Sequence, residues 1–193
     1  MNNVPEYIAL DHDSWLQYYP HWAVESDLDD LISQIQWQQH TIRLFGRNVL
    51  EPRLSAWIAD EACCYRYSGN TREPQPWPEP ILRWCQQLRL QSGYHFNSVL
   101  ANLYRHGSDS MGWHSDDEAE LGDKPMIASL SLGQPRRFLL RAKSGHQKII
   151  ELELGAGDLL MMGGECQSYY QHSVAKTKKI VGCRLNLTFR QIF

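Results

Sequence analysis

Trp113-His114-Ser115-Asp116-Asp117-Glu118 is read together with Arg184-Leu185-Asn186-Leu187-Thr188-Phe189-Arg190 near the C-terminus and with His172 between them. Extended back to Val181, the second stretch alternates. Apolar Val181, Cys183, Leu185, Leu187 and Phe189 interleave with Gly182, Arg184, Asn186, Thr188 and Arg190. A period of two is that of a strand with one apolar face and one polar face, the latter carrying two arginines, an amide and a hydroxyl. His-x-Asp likewise sets an imidazole and a carboxylate on one side of an extended segment. Adding one distant histidine gives the ligand types of the 2-His-1-carboxylate facial triad, which holds non-haem Fe(II) and leaves positions open for co-substrate and oxygen. His114, Asp116 and His172 are the candidate ligands. By itself the pair means little, because the chain has eight histidines and many acids. Solvated loop residues would be the plainer reading.

The arginine strand shifts that balance. An ordinary half-exposed strand would carry solvated arginines. Here Asn186 and Thr188 separate Arg184 from Arg190, which makes a polar row suited to an anion rather than a repelling pair. Six residues of strand span roughly 20 Å. Two arginines leaning toward each other across it leave a gap close to the length of a short dicarboxylate, and guanidinium groups grip carboxylates bidentately. An iron triad beside a dicarboxylate clamp points to 2-oxoglutarate as co-substrate.

With Asn102-Leu103-Tyr104 upstream, H-x-D, the later His and R-x-N-x-T-x-R resemble, in combination, the AlkB family of Fe(II)/2-oxoglutarate-dependent nucleic-acid dealkylating dioxygenases, most closely its DNA-repair members. The likeness runs from about Ile42 to the C-terminus, and residues 1–40 carry no recognisable part of it. What the resemblance implies is specific. His114, Asp116 and His172 would be catalytic and bind Fe(II), with O2 as oxidant. Asn102, Tyr104, Arg184, Asn186 and Arg190 would hold 2-oxoglutarate, Arg190 and Asn186 near its C1 end and Arg184 at the far carboxylate. Leu44 and Phe45 would form an apolar finger that enters the base stack where a damaged base is flipped out. Tyr67 would stack on that base, Tyr65 would hydrogen-bond beside it, and Asp117 and Glu118 would read its edge. The residues alone also fit plainer roles: a core Phe, a cross-strand pair of tyrosines, a satisfied core Asn and Tyr, and solvated loop acids.

The implied function is oxidative dealkylation of N-alkylated nucleobases such as N1-methyladenine and N3-methylcytosine in DNA. Decarboxylation of 2-oxoglutarate would be coupled to alkyl hydroxylation and aldehyde release, a direct reversal of alkylation damage. The motifs specify the oxidant better than the substrate, so RNA, a protein side chain or a small metabolite stay open as alternatives. A binding module with a vestigial iron site is the non-enzyme alternative, and the complete triad and clamp argue against it.

The 193 residues suit one domain. Net charge is −3, but its distribution is one-sided. From Lys124 to Ile150 there is no acid among six basic residues, and after Glu165 only Lys176, Lys178, Lys179, Arg184 and Arg190 carry charge. Acids gather at Glu25–Asp30 and Asp109–Asp123 instead. Such a field can meet a phosphate backbone despite a negative total. Five cysteines without C-x-x-C spacing read as thiols in a reducing compartment, not a disulfide frame or zinc site. No stretch is apolar enough for a membrane helix and no signal-like start is present, so the expectation is a cytoplasmic protein, acting as a monomer on nucleic acid.

Along the chain, residues 1–24 are expected to form a strand or arm packed on the core. Ser26 with Asp29 opens a helix carrying Leu28, Leu31, Ile32 and Ile35. Ile81, Trp84, Cys85 and Leu88 stripe a second helix closed by Ser92-Gly93, after the stiff run Pro74–Pro80. Thr41–Arg47 reads as a hairpin, and Phe96–Tyr104, Ile127–Leu132, Arg137–Arg141, Ile149–Leu154 and Leu159–Met162 as strands; the resemblance makes Trp57–Tyr67 the lid over the substrate base. The fold expected is mainly β with flanking helices (α+β), a double-stranded β-helix or jelly roll. One domain would cover 1–193, with helices and nucleotide-recognition lid in 1–95 and the catalytic core in 96–193.

Overall fold

The C-terminal alternation becomes a seven-residue strand inside a large antiparallel sheet. A computed structural model describes residues 4–24, 27–44, 46–63, 65–67, 70–72, 74–145, 148–155 and 157–193, and at 42–44, 65–67 and 70–72 it describes the backbone alone. In chain order the strands among these residues are β1 (Glu6–Ala9), β2 (Trp15–Tyr19), β3 (Thr41–Leu44), β4 (Arg47–Leu50), β5 (Leu54–Ala59), β6 (Tyr65–Tyr67), β7 (Asn70–Arg72), β8 (Ser98–Tyr104), β9 (Met111–His114), β10 (Ile127–Gly133), β11 (Arg136–Ala142), β12 (Ile150–Leu154), β13 (Asp158–Gly163), β14 (Tyr170–Val174) and β15 (Arg184–Arg190). The helices are α1 (Leu28–Ser33), α2 (Glu79–Ser92) and α3 (Cys166–Tyr169).

One sheet runs β1-β2-β13-β10-β15-β8-β5 and the other β12-β11-β14-β9, with β3-β4 and β6-β7 as separate hairpins. Strands distant in sequence, such as β8, β10 and β15, lie side by side, as a jelly roll requires. Register then sorts the residues. Arg184 faces Tyr104 and Gly133 across the ladder, Asn186 faces Asn102 and Ser131, and Thr188 faces Leu100 and Ser129. Alternation puts these polar side chains on one face and Leu185, Leu187 and Phe189 on the other. The apolar face packs with Val99, Ala101 and Leu130 against Leu31 of α1 and Ile81, Trp84 and Leu88 of α2. A second core lies between the sheets: Leu16, Ile127, Phe138, Leu140, Leu160 and Met162. Each large apolar side chain buried this way stabilises by roughly 1.5–3 kcal/mol.

The helices end where their residues dictate. Asp27 caps α1, its carboxylate accepting from the amides of Asp29 and Asp30. The cap is thus Asp27, because a short side chain at that position reaches the first free amides. Gly93 closes α2 at φ 74°, a left-handed conformation that costs glycine nothing.

The expected division at residue 95 does not separate lid from core. Strands β1, β2 and β5 all come from the first 95 residues, and each pairs into the large sheet. Trp57 accordingly sits in β5, paired with Leu100, rather than in a lid. Long-range antiparallel pairing decides this, and no local pattern carries it. Phe45 lies outside the described residues, and Tyr65 and Tyr67 lie on β6, where the backbone alone is described.

Gly157 ties the N-terminal arm to the core. It has φ +89°, its amide donates to the Ser131 carbonyl, and its own carbonyl accepts from the Ala23 amide. An added Cβ would lie 2.2 Å from the Ala23 carbonyl oxygen. Gly157→Ala is therefore expected to lower stability by about 2 kcal/mol or more, read from urea unfolding.

Candidate active site

His114 ends β9 and His172 lies directly opposite on β14, after which the register breaks. The pairing forces the two imidazoles together, edge to face, with ring centroids 4.1 Å apart. Asp116 comes two residues after the strand and folds back to them. The donor atoms of His114, Asp116 and His172 all lie within 4.8 Å of one another, a cluster able to hold a metal ion. His114 Nδ1 donates to the Gly112 carbonyl at 2.9 Å, which would leave Nε2 as the ligand atom for a bound metal. Phe138 stacks on His172, and burial pushes that imidazole down to about 3, so it is neutral and ready to coordinate near neutral pH. Burial pushes the Asp116 carboxyl up, but the Arg190 guanidinium and the two imidazoles outweigh it and hold the group below the usual carboxylate range. Two imidazoles and one carboxylate gathered around one point suit non-haem Fe(II).

Behind the triad the polar row of β15 forms a chamber. Arg184 is 1% exposed, donates from Nη2 to Ser131 Oγ at 2.7 Å, and lies over the Tyr104 ring. Its Nε and Nη1 are buried and find no hydrogen-bond partner among the described residues. A buried guanidinium without an anion costs several kcal/mol. A carboxylate placed on Nε and Nη1 would remove that cost, so this end of the chamber fits a dicarboxylate. Asn186 donates to Ser129 Oγ and accepts from Thr188 Oγ1, and Asn102 accepts from Arg53 Nε at 2.8 Å. Free space among these side chains is about 20 Å³.

The second arginine behaves differently. Arg190 pairs with Asp116 and, at 3.4 Å, with Glu118. The two arginines therefore do not lean toward each other. Arg184 sits at the deep end, and Arg190 sits beside the triad. Beyond Arg190 opens a larger cavity of about 310 Å³, whose lining includes Glu51, Arg53, Trp57, Leu100, Glu118 and Arg190. Asp117 lines neither space; it turns outward to Lys143 at 3.2 Å.

The structure thus brings together His114, Asp116, His172, Asn102, Tyr104, Arg184, Asn186, Arg190 and Glu118, and leaves Asp117 at the rim. Sequence reading passed over Arg53, which bridges Asn102 and Glu51. Its only local signal was an arginine just after Pro52. Asp116→Ala is expected to abolish metal uptake and, by leaving Arg190 only the half-exposed Glu118, to lower apo stability by about 1–3 kcal/mol. Thermal unfolding with and without Mn(II) checks both effects, the metal raising the midpoint of the wild-type chain alone.

Comparison with known proteins agrees with this geometry. A family model described as the 2OG-Fe(II) oxygenase superfamily matches residues 16–190. Its start lies in β2, ahead of Ile42. Alpha-ketoglutarate-dependent dioxygenase alkB homolog 3 of Homo sapiens is 39% identical over 175 residues, covering 86% of this chain and 60% of its own. DNA oxidative demethylase ALKBH2 of Bos taurus is 37% identical, covering 78% and 57%, and that of Arabidopsis thaliana is 34% identical, covering 96% and 68%. The chain thus spans about 60% of the length of the first of these relatives. The solved structure of OsALKBH1 matches with a TM-score of 0.60 at 18% identity, over 96% of this chain and 100% of that one, a likeness of fold. Motifs, fold and relatives agree that the chain belongs to the AlkB family within the 2OG-Fe(II) oxygenase superfamily.

Proposed function

We propose that this protein oxidatively removes alkyl groups from N-alkylated bases of DNA, using Fe(II), 2-oxoglutarate and O2. The observation that carries the reading is a pair of adjoining spaces that share Leu100 and Arg190 as walls. The inner one holds the triad and the Arg184 guanidinium, whose Nε and Nη1 find no partner among the described residues; the outer one, about 310 Å³, is at the lower end of the range for small-molecule sites. A single flipped base suits such a space. The printed names of the relatives, an alkB-homolog dioxygenase and a DNA oxidative demethylase, support the same reading.

When bound, the metal with 2-oxoglutarate and O2 supplies hydroxylation of the alkyl carbon; the co-substrate leaves as succinate and CO2, and the hemiaminal C–N bond breaks to aldehyde and unmodified base. The chain's own part is placement. Arg184, with Ser131, takes the far carboxylate, and Arg190 orients Asp116. Glu118, drawn over the outer cavity by Arg190, accepts from the amino edge of the base, and Arg53 and Glu51 form the opposite wall. Leu100 and Trp57 keep water from the reacting carbon. The family resemblance gives Tyr67 the stacking role, Tyr65 a hydrogen bond beside it, and Phe45 the gap the base leaves in the duplex. A base methylated on its pairing edge is cheaper to flip, which gives selectivity before any chemistry. Lys176, Lys178 and Lys179, in the acid-free C-terminal segment, meet phosphates. No helix among the described residues is long and apolar enough to cross a membrane. The buried thiols Cys85 and Cys166 suit a reducing cytoplasm, where the chain works as a monomer.

Incubation with a DNA oligonucleotide bearing N1-methyladenine is expected to release formaldehyde and succinate, dependent on Fe(II) and 2-oxoglutarate. Succinate without formaldehyde from any methylated oligonucleotide would move the substrate to another class. Arg184→Met is expected to raise the KM for 2-oxoglutarate about 10- to 100-fold, matching the roughly 1.5–3 kcal/mol of a charge-assisted hydrogen bond.

A further inference from the structure

We infer that Gln167 is a positioning residue for the metal-binding carboxylate, a role that rests on the metal site proposed at His114, Asp116 and His172. Asp116 lies two residues past the end of β9, so the strand ladder does not hold its backbone. Its amide donates instead to Gln167 Oε1 at 2.9 Å, in the interior. Gln167 is 2% exposed and sits on α3, immediately ahead of the strand that carries His172. A backbone N–H only donates, so the oxygen of this amide is the atom that faces Asp116. The Nε2 end is left with Met162 Sδ at 3.7 Å, a weak acceptor.

Both neighbours of Asp116 are fastened to the same segment. Ser115 Oγ donates to the Tyr170 carbonyl at 2.8 Å. Lys143 Nζ donates to the Gln167 carbonyl at 2.9 Å and pairs with Asp117 at 3.2 Å, while the Lys143 amide donates to the Tyr169 carbonyl. Residues 115–117 thus ride on the frame 167–170, and His172 follows two residues later on that frame. One rigid piece therefore sets the carboxylate against the second histidine. Without the Gln167 acceptor, the Asp116 carboxylate keeps its pull toward Arg190 but loses the backbone anchor that turns it to the histidines. Metal ligands depend on such outer contacts, whose loss typically weakens affinity or activity 10- to 100-fold.

Gln167→Met keeps the side-chain length and removes the acceptor. Its Co(II) dissociation constant is expected to rise about 10-fold or more, with a changed Co(II) visible spectrum. In the loaded enzyme, formaldehyde released per succinate should fall. Gln167→Asn, which draws the amide back by one methylene, gives the same weakening and serves if the Met variant does not fold. Cys166→Ala empties space on the same short helix without touching the Asp116 amide, and is expected to lower stability while leaving Co(II) affinity and spectrum unchanged. Wild-type Co(II) affinity and spectrum in a folded Gln167 variant would overturn the role, as would an equal loss in Cys166→Ala, which would make the effect one of packing. Failure of the wild-type chain to bind Co(II) would be a different result, striking the metal site itself and with it this role.

Discussion

A charged guanidinium buried inside a β-sandwich, without a carboxylate to pair with it, is the constraint from which the rest of the structure follows. Arg184 is closed off by the sheet, by Tyr104 and by Ser131, yet two of its three nitrogens have no partner among the described residues. Protein interiors tolerate such a group only when something compensates it. The nearby triad poses the same problem, with Asp116 buried between Arg190 and the imidazoles. Both sets of groups line one chamber, where a bound metal ion and a dianion would offset the cost. Ligand binding here is therefore also a source of stability, since whatever binds the folded chain alone favours it by mass action.

The surrounding architecture places that face. Leu185, Leu187 and Phe189 anchor β15 against the helices from behind, which fixes which way Arg184, Asn186, Thr188 and Arg190 point. A slip of one residue would bury the apolar set in the chamber and the arginines under α2. The smaller sheet brings in the two histidines as a cross-strand pair, and the turn after β9 delivers the carboxylate. The outer cavity opens beside β5 and β8 of the large sheet, with Thr41 at the start of β3 in its lining.

What could be read from the sequence is what repeats locally. The period of two in β15, the stripe of α2 and the H-x-D spacing each carry their meaning within a dozen residues, and the structure bears them out. Long-range pairing left no such trace. Nothing around Glu6–Ala9, Trp15–Tyr19 or Leu54–Ala59 says that these strands complete the large sheet, because the partner strands lie elsewhere in the chain. Side-chain ties between remote residues are equally silent: Arg53 to Asn102, Gln167 to Asp116, and Lys143 to Asp117. The last of these explains why Asp117 and Glu118, adjacent and alike in the sequence, end on opposite sides. Glu118 has Arg190 to hold it over the cavity, and Asp117 has Lys143 to hold it out.

A crystal structure with Mn(II) and 2-oxoglutarate, phased to show anomalous scattering from the metal, tests the account most directly. One peak is predicted, bounded by His114 and His172 nitrogens and an Asp116 oxygen, with the far carboxylate of 2-oxoglutarate on Nε and Nη1 of Arg184. A metal bound away from these three side chains, or a co-substrate carboxylate that leaves Arg184 unpaired, would contradict it.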